Sequence, residues 1–415
     1  MSGEGEGAGE SESAGTGAGT LAGAAVSKRS AALARRDRRR GRARFALFAL
    51  AVLAILLAKP VAHHARATTL LLAFSDPKGK VDVTEEMLTV DVPASASGPA
   101  RTVKARMFSP PRSAPGDHPA VVLVHGVQYR GIEEPRLQHF AKSVVSAGMV
   151  VLTPQIDELA DYQVSQTSIE TVGAAIEALR ARTGQKQVGL MGTSFGGGIS
   201  LLTAADARFS SEVSFVVAIG AHDDLGRVSR FFATDEIPEV GGATKKMHAH
   251  GYGAMVLVYT HVEDFFPAED VPAAREALRL WLWEKRDQAR EASRALSTAS
   301  KARMEQFFDS DASTFRTELL AAIDRREGDM KKVSPHDHLA GVRAHVYLLH
   351  GAGDTVIPAT ETMWLAHDVP AASMREVLVS PAIEHVELKE PTAADKWALV
   401  HFMSDVIGEA EAGRH

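Results

Sequence analysis

The sequence predicts an α/β fold: a mostly parallel sheet flanked by helices, with a helical cap inserted after the sixth strand. Three observations carry this. Short apolar runs alternate with stretches of helical spacing from Ala120 to Ile219, the pattern of a parallel sheet with crossover helices. The rhythm stops after Gly220 and resumes at Ala344. The segment between, 221–342, contains two long stretches of helical character, near Pro272–Leu296 and Ala302–Arg326, and aromatic pairs at Phe231/Phe232, Phe265/Phe266 and Phe307/Phe308.

The N-terminus is unlike the rest. Residues 1–27 are almost entirely Gly, Ala, Ser, Glu and Thr, too little to bury, and are expected to be disordered. Residues 28–44 are basic, with Lys28, Arg29, Arg35, Arg36, Arg38, Arg39, Arg40, Arg42 and Arg44 against the single acid Asp37. The run Phe45–Ala58 then has no polar side-chain atom and ends at Lys59-Pro60. A basic block before an apolar run places the N-terminus in the cytoplasm and the folded body outside it. Residues 45–62 read as a membrane anchor or a signal segment, with a buried core helix as the third alternative. The run spans about 21 Å as a helix against a hydrocarbon core of ~30 Å. Lys59 could snorkel to lengthen it, whereas Ala65-Arg66-Ala67 has the small-residue form of a signal-peptidase site.

The sheet-bearing body is expected over 75–220 and 343–415. Strands are expected near Met87–Val92 and Thr102–Met107, followed by the loop Ser109–Asp117, rich in Pro and Gly. Ala120–His125 is an apolar run of the kind buried in a parallel sheet. Leu137–Ala147 is helical in spacing, Met149–Thr153 strand-like, and Ile169–Ala181 helical, with Ile169, Val172, Ile176 and Leu179 on one face. Gln187–Met191 and Ser214–Ile219 are strand-like on either side of a small-residue helix, Phe195–Ala205. After the insertion come Ala344–Leu349 (strand), Ala359–His367 (helix), Arg375–Ser380 (strand) and Ala393–Ile407 (helix).

Composition narrows the chemistry. The 415 residues are 45% hydrophobic and 24% charged with a net charge of -6, an ordinary globular balance that gives no sign of a nucleic-acid partner. The absence of cysteine excludes disulfides, thiolate zinc sites, iron–sulfur clusters and a thiolate nucleophile. His248 and His250 could suggest a metal pair, but no carboxylate lies beside them in sequence. No metal or organic cofactor is expected.

Gly192-Thr193-Ser194-Phe195-Gly196 reads G-x-S-x-G between a predicted strand and a predicted helix, the context that lifts a serine out of a sheet edge as a nucleophile. A serine hydroxyl needs a base, a carboxylate to orient that base, and donors for the oxyanion. Candidate donors are the backbone N–H of Phe195 and that of Val127, in the His125-Gly126-Val127 loop after its strand. Asp354 lies on the turn Gly351–Pro358, with Asp223 and Asp224 as rivals for the acid. His385 follows the strand Arg375–Ser380 in a loop, whereas His367 and His401 fall within predicted helices. Asp157, Asp161 and Tyr162 are candidates for the rim, and Leu278–Trp283 for a buried helix or an acyl-binding wall.

The chain order Ser194, Asp354, His385, with His125-Gly126, Gly192–Gly198, Ser334-Pro335 and Gly351–Pro358, resembles the α/β-hydrolase superfamily over roughly residues 80–410, in its esterase and prolyl-oligopeptidase-like branches. The resemblance implies a serine hydrolase acting on a small-molecule carboxylic ester. A peptidase or amidase, an acyltransferase, and an inactive fold serving as a binding module remain as alternatives. Dienelactone hydrolases of a nearby branch use a Cys nucleophile, which this chain lacks.

Overall fold

The structure, a computed structural model, describes residues 57–309, 312–384, 387–388 and 392–413, with parts of 45–53. The predicted disordered and basic segment 1–44 and the candidate base His385 lie outside the described residues. The chain divides into two compact units, Met1–Ala62 and His63–His415. The apolar run expected to anchor or export the chain is described only in part, and among the described residues no helix is long and apolar enough to cross a membrane.

The second unit opens with a helix not anticipated from the sequence. Residues 63–75 (α1) are helical, and one face packs inward, with Ala67 and Leu70 buried. Arg66 donates to the Ala147 carbonyl at 2.6 Å and pairs with Glu411, while His63 Nε2 lies 2.9 Å from the other Glu411 oxygen. The Ala65-Arg66-Ala67 sequence therefore sits inside a packed helix, and the folded body begins before residue 75.

Eight strands form one sheet in the order β1 (Thr84–Val92), β2 (Arg101–Ser109), β4 (Val150–Pro154), β3 (Ala120–Val124), β5 (Val188–Thr193), β6 (Val213–Ile219), β9 (His345–Gly351), β10 (Met374–Ser380). β2 runs antiparallel to β1 and to β4, and every other pairing is parallel. The burial of the strands explains the arrangement. β3 and β4 are buried at every residue, as strands covered on both faces must be. β1 alternates exposed and covered positions and forms the edge. On one face lie α4 (Gln166–Thr183), α5 (Phe195–Ala205) and α12 (Thr360–Asp368), contributing Val172, Ile176, Leu179, Ile199 and Leu365 to the core. On the other lie α1, α2 (Pro135–Ser146) and α13 (Ala393–Ala412), contributing Leu70, Leu137, Val144, Phe402 and Val406. Each such side chain stabilises the fold by about 1.5–3 kcal/mol relative to exposure.

Between β6 and β9 the chain forms α6 (Leu225–Thr234), a hairpin of β7 (Glu236–Pro238) and β8 (Thr244–Lys246), then α7 (Gly251–Thr260), α8 (Val271–Leu282), α9 (Arg286–Ser293), α10 (Thr298–Phe308) and α11 (Arg316–Lys331). All six paired phenylalanines enter one apolar cluster of this insertion, with Phe307 edge-on to Phe265 at 5.8 Å and to Phe315 at 4.6 Å. The two long helices expected here are each broken in two. The first ends at Leu282 with Trp283 as its C-cap, and Glu284 follows with φ 61°, a left-handed conformation that no glycine or proline advertises. Stacking of Trp283 on Tyr129, with centroids 5.2 Å apart, gives the break a tertiary cause. The hairpin and the short helices α6 and α7 were not foreseen.

The order of β4, β3 and β5 puts the direction reversal of the winding between β3 and β5. That is the topological switch point, where open α/β sheets hold their ligands beyond the strand carboxyl ends.

Candidate active site

Ser194 sits between β5 and α5 with φ 54° and ψ −133°, a conformation costing roughly 1–3 kcal/mol for a residue with a Cβ. The surroundings enforce it. Ser194 N–H donates to the Ile219 carbonyl at 2.7 Å, and the Ser194 carbonyl accepts from Gly197 N–H at 2.9 Å. The flanking glycines are needed for close approach. A Cβ on Gly192 would come within 2.3 Å of the Gly196 carbonyl oxygen, and one on Gly196 within 2.4 Å of the His125 carbonyl oxygen. Phe195 opens α5, so its N–H is among those with no intrahelical partner; its buried ring lies 5.1 Å from that of His222.

The loop after β3 runs directly past the serine. A Cβ built on Gly126 would stand 2.9 Å from Ser194 Cβ and 3.5 Å from its Oγ. Ile156 N–H donates to His125 Nε2 at 3.2 Å, which leaves the ring proton on Nδ1, and Nδ1 donates to the Gly126 carbonyl at 2.8 Å. That carbonyl and the Val127 N–H belong to one trans peptide and point in opposite directions. His125 therefore fixes the direction of the Val127 N–H. Its burial lowers its pKa, which keeps the ring neutral and both hydrogen bonds intact. These contacts give His125 a structural role.

Asp354 is fully buried on the turn after β9. Its Oδ1 accepts from Val356 N–H at 2.8 Å and Ile357 N–H at 3.0 Å. Behind it, buried His350 bonds Thr362 Oγ1 through Nδ1 at 2.6 Å and donates from Nε2 to the Ile357 carbonyl at 2.8 Å, holding the turn to α12. β5 and β9 are separated by β6 alone, two inter-strand spacings or about 10 Å. Ser194 and the Asp354 turn thus share one edge of the sheet. The loop that carries His385 begins on described residues: Ile383 is buried, and Ile383–Glu384 (β11) pairs with Glu387–Leu388 (β12).

The rival acids have other partners. Asp224 Oδ1 caps α6 through Arg227 N–H at 3.0 Å. Asp223 Oδ2 accepts from Arg227 at 2.8 Å, and Arg227 also donates to Glu361 at 2.5 Å. Glu361 in turn accepts both the Asp223 and the Asp224 N–H at 2.9 Å. His336 joins this clasp through Asp368 Oδ2 at 2.5 Å and lies 3.3 Å from Asp223 Oδ2. Donor atoms of Asp223, His336 and Asp368 lie within 4.8 Å of one another, as a metal would require, but the Arg227 guanidinium already donates to the same Asp223 oxygen.

Burial, reinforced by the Glu361 charge, pushes the Asp223 carboxyl up to about 7. Burial opposes a charge on His336, but the Asp368 hydrogen bond and the nearby carboxylates outweigh it and raise its pKa. Both groups hold a proton more tightly folded than unfolded. Their stabilisation is complete at low pH and drains as pH rises, for Asp223 from about 4 through 7 and for His336 above about 6.5. Melting temperature measured from pH 5 to 8 should therefore fall across this range, and Asp223→Asn should flatten the slope; an unchanged slope would remove the clasp as its source.

The remaining candidates tie the insertion to the sheet. Tyr162 is buried at φ 62° and donates to the Leu282 carbonyl at 3.1 Å, and Tyr259 donates to Asp161. Asp157 opens the short helix α3 (Asp157–Ala160). In α8, Leu278 and Leu282 are buried while Trp281 stacks on Phe308 at 4.1 Å. The structure does place a carboxylate by His248, with Asp235 Oδ2 3.2 Å away, while His250 caps α7.

No curated protein matches the sequence. Among solved structures the chain is similar to a puromycin-hydrolyzing peptidase of Mycobacterium tuberculosis, with 15% identity over 80% of this chain and 39% of that one, at a TM-score of 0.47. It is also similar to dipeptidyl peptidase 4 of Porphyromonas gingivalis, with 11% identity over 79% of this chain and 35% of that one, at 0.43. The esterase domain of a Rhodothermus marinus protein matches with 14% identity over 80% of this chain and 99% of that one, at 0.39. The chain thus spans well under half the length of the two peptidases. A model of the alpha/beta hydrolase fold family matches residues 152–382, more than half of the chain, a range that holds Ser194 and Asp354. By that match, the chain belongs to the α/β-hydrolase fold family.

Proposed function

We propose that the protein is a serine hydrolase that cleaves a carboxylic ester through an acyl-enzyme. The observation that carries this reading is Ser194, held at positive φ with the Gly126 loop against its side chain. In the proposed reaction His385, oriented by Asp354, takes the Ser194 proton as Oγ attacks the carbonyl carbon. The N–H groups of Val127 and Phe195 hold the oxyanion, an arrangement in which each donor is typically worth ~3 kcal/mol of barrier. His385 returns the proton to the leaving alcohol, then activates water to release the acid. An ester is favoured because an alkoxide needs less leaving-group help than an amine, and because the apolar cluster of the insertion includes Phe195, beside the serine, and α7, which touches the Val127 loop.

A fluorophosphonate probe tests the nucleophile, and labelling of any residue other than Ser194 would refute it. Turnover of p-nitrophenyl esters compared with aminoacyl p-nitroanilides tests the bond: faster amide cleavage would move the assignment to a peptidase. Absence of both labelling and turnover would mark a binding module. We further propose, from the basic block 28–44 and the apolar run after it, that the N-terminal segment attaches the protein to a membrane with the hydrolytic body outside the cytoplasm. Release of the full chain into the supernatant by alkaline carbonate would overturn that.

A further inference from the structure

The insertion does more than cover the sheet. Its segment His250–Tyr252, at the start of α7, touches both loops on which the proposed chemistry depends. The His250 N–H donates to the Thr355 carbonyl at 2.9 Å, one residue beyond Asp354. The His250 ring caps the helix by accepting from Tyr252 N–H at 3.2 Å. The Tyr252 hydroxyl donates to the Val127 carbonyl at 3.2 Å. Gly253, next in sequence, lies so close to the Phe232 ring that an added Cβ would come within 2.2 Å of it, which seats this turn firmly on α6.

The bond to Val127 is well placed to matter. Two peptides flank the Val127 Cα. The first, Gly126–Val127, is fixed by His125, as described above. The second, Val127–Gln128, has its N–H bonded to the Leu159 carbonyl at 3.2 Å and its C=O bonded to Tyr252. With both peptides pinned, the φ and ψ of Val127 are pinned, and so is the aim of its N–H. The sheet supplies the first restraint, α3 and Tyr252 the second. Tyr252 is itself held edge-on by the Tyr162 ring at 6.0 Å.

We propose that Tyr252 is a positioning residue for acyl transfer, contributed by the insertion, whose hydroxyl sets the oxyanion-binding N–H of Val127. The inference rests on the serine-hydrolase reading above. It makes seating of the insertion a condition for a competent oxyanion hole, since the same short turn also holds the acid loop at Thr355. A preorganised donor acts on the transition state and not on the bound ester, so its loss has a kinetic signature that general loosening does not.

The test is Tyr252→Phe, which keeps the ring and removes the hydroxyl, assayed with p-nitrophenyl butyrate beside wild type and Ser194→Ala. The expected result is a roughly tenfold fall in kcat with KM within twofold. Affinity for an alkyl trifluoromethyl ketone, whose adduct places an oxyanion in the hole, should weaken by the same factor as kcat/KM. Affinity for the product butyrate should stay level, and the melting temperature should stay within a few degrees. Wild-type kcat, or a loss shared equally by ketone and butyrate, overturns the role of Tyr252. If Ser194→Ala retains turnover, the serine reading itself falls and this inference with it; if Ser194→Ala is inactive and Tyr252→Phe behaves as wild type, only the inference falls.

Discussion

Ser194→Ala is expected to lower kcat for the best p-nitrophenyl ester by about 10⁴–10⁶-fold and to abolish fluorophosphonate labelling. The size follows from what is lost. Without Oγ no acyl-enzyme forms, and catalysis reverts to whatever the oxyanion donors achieve with water. The fold should survive, because the strain resides in the backbone and alanine keeps the Cβ that makes φ 54° costly. Ser194→Gly should therefore separate the two properties: equally inactive, but more stable than Ser194→Ala by about 1 kcal/mol, since glycine adopts positive φ without penalty. Turnover and urea denaturation on both variants check this. An active Ser194→Ala would remove the nucleophile, and a Ser194→Gly less stable than Ser194→Ala would show that the backbone conformation at this position is not strained.

How much of this could be read from the chain depends on the range of the interactions involved. β3, β4, β5 and β6 were legible because strands covered on both faces need apolar runs, such as Ala120–Val124 and Phe215–Ile219. The turn at Ser194 was legible because its close approaches demand glycine at Gly192 and Gly196. Helix α1 has a local signal, since His63, Ala67, Leu70 and Phe74 fall on one helical face, but it adjoins an apolar run whose pattern is that of a membrane segment. Other features left no local trace. At the end of α8 Trp283 stacks on Tyr129, far away in sequence, and Glu284 takes the left-handed turn without a glycine. The clasp of Asp223, Arg227, Glu361, His336 and Asp368 joins three segments, so nothing local in the sequence removes Asp223 as a rival to Asp354. Tyr252 was invisible for the same reason, since its partner at Val127 lies 125 residues away.

That rivalry between acids supplies the second large effect. Asp354→Asn is expected to reduce kcat/KM by about 10⁴-fold with little change in melting temperature. The geometry says why an isosteric change should be so damaging. Asp354 Oδ1 accepts from two backbone N–H groups, Val356 and Ile357, so asparagine must keep its carbonyl oxygen there to hold the turn. Its amide NH₂ then occupies the other position, where the proposed reaction needs an acceptor for the proton on the His385 ring. A donor there selects the wrong tautomer, with the ring proton facing Ser194 and no lone pair to take the hydroxyl proton. His385→Gln should fall to the same level, and the double variant should be no worse than either single one, because the two residues act as a unit. In wild type, kcat/KM should decline as pH drops below about 6–7, the range in which an ordinary imidazole serving as the proposed base takes up a proton. Asp223→Asn, by contrast, touches only the clasp and should keep activity within tenfold. Steady-state kinetics on the four variants decide the matter: a near-normal Asp354→Asn beside an inactive Asp223→Asn would transfer the acid to the end of β6, where Arg227 already competes for it.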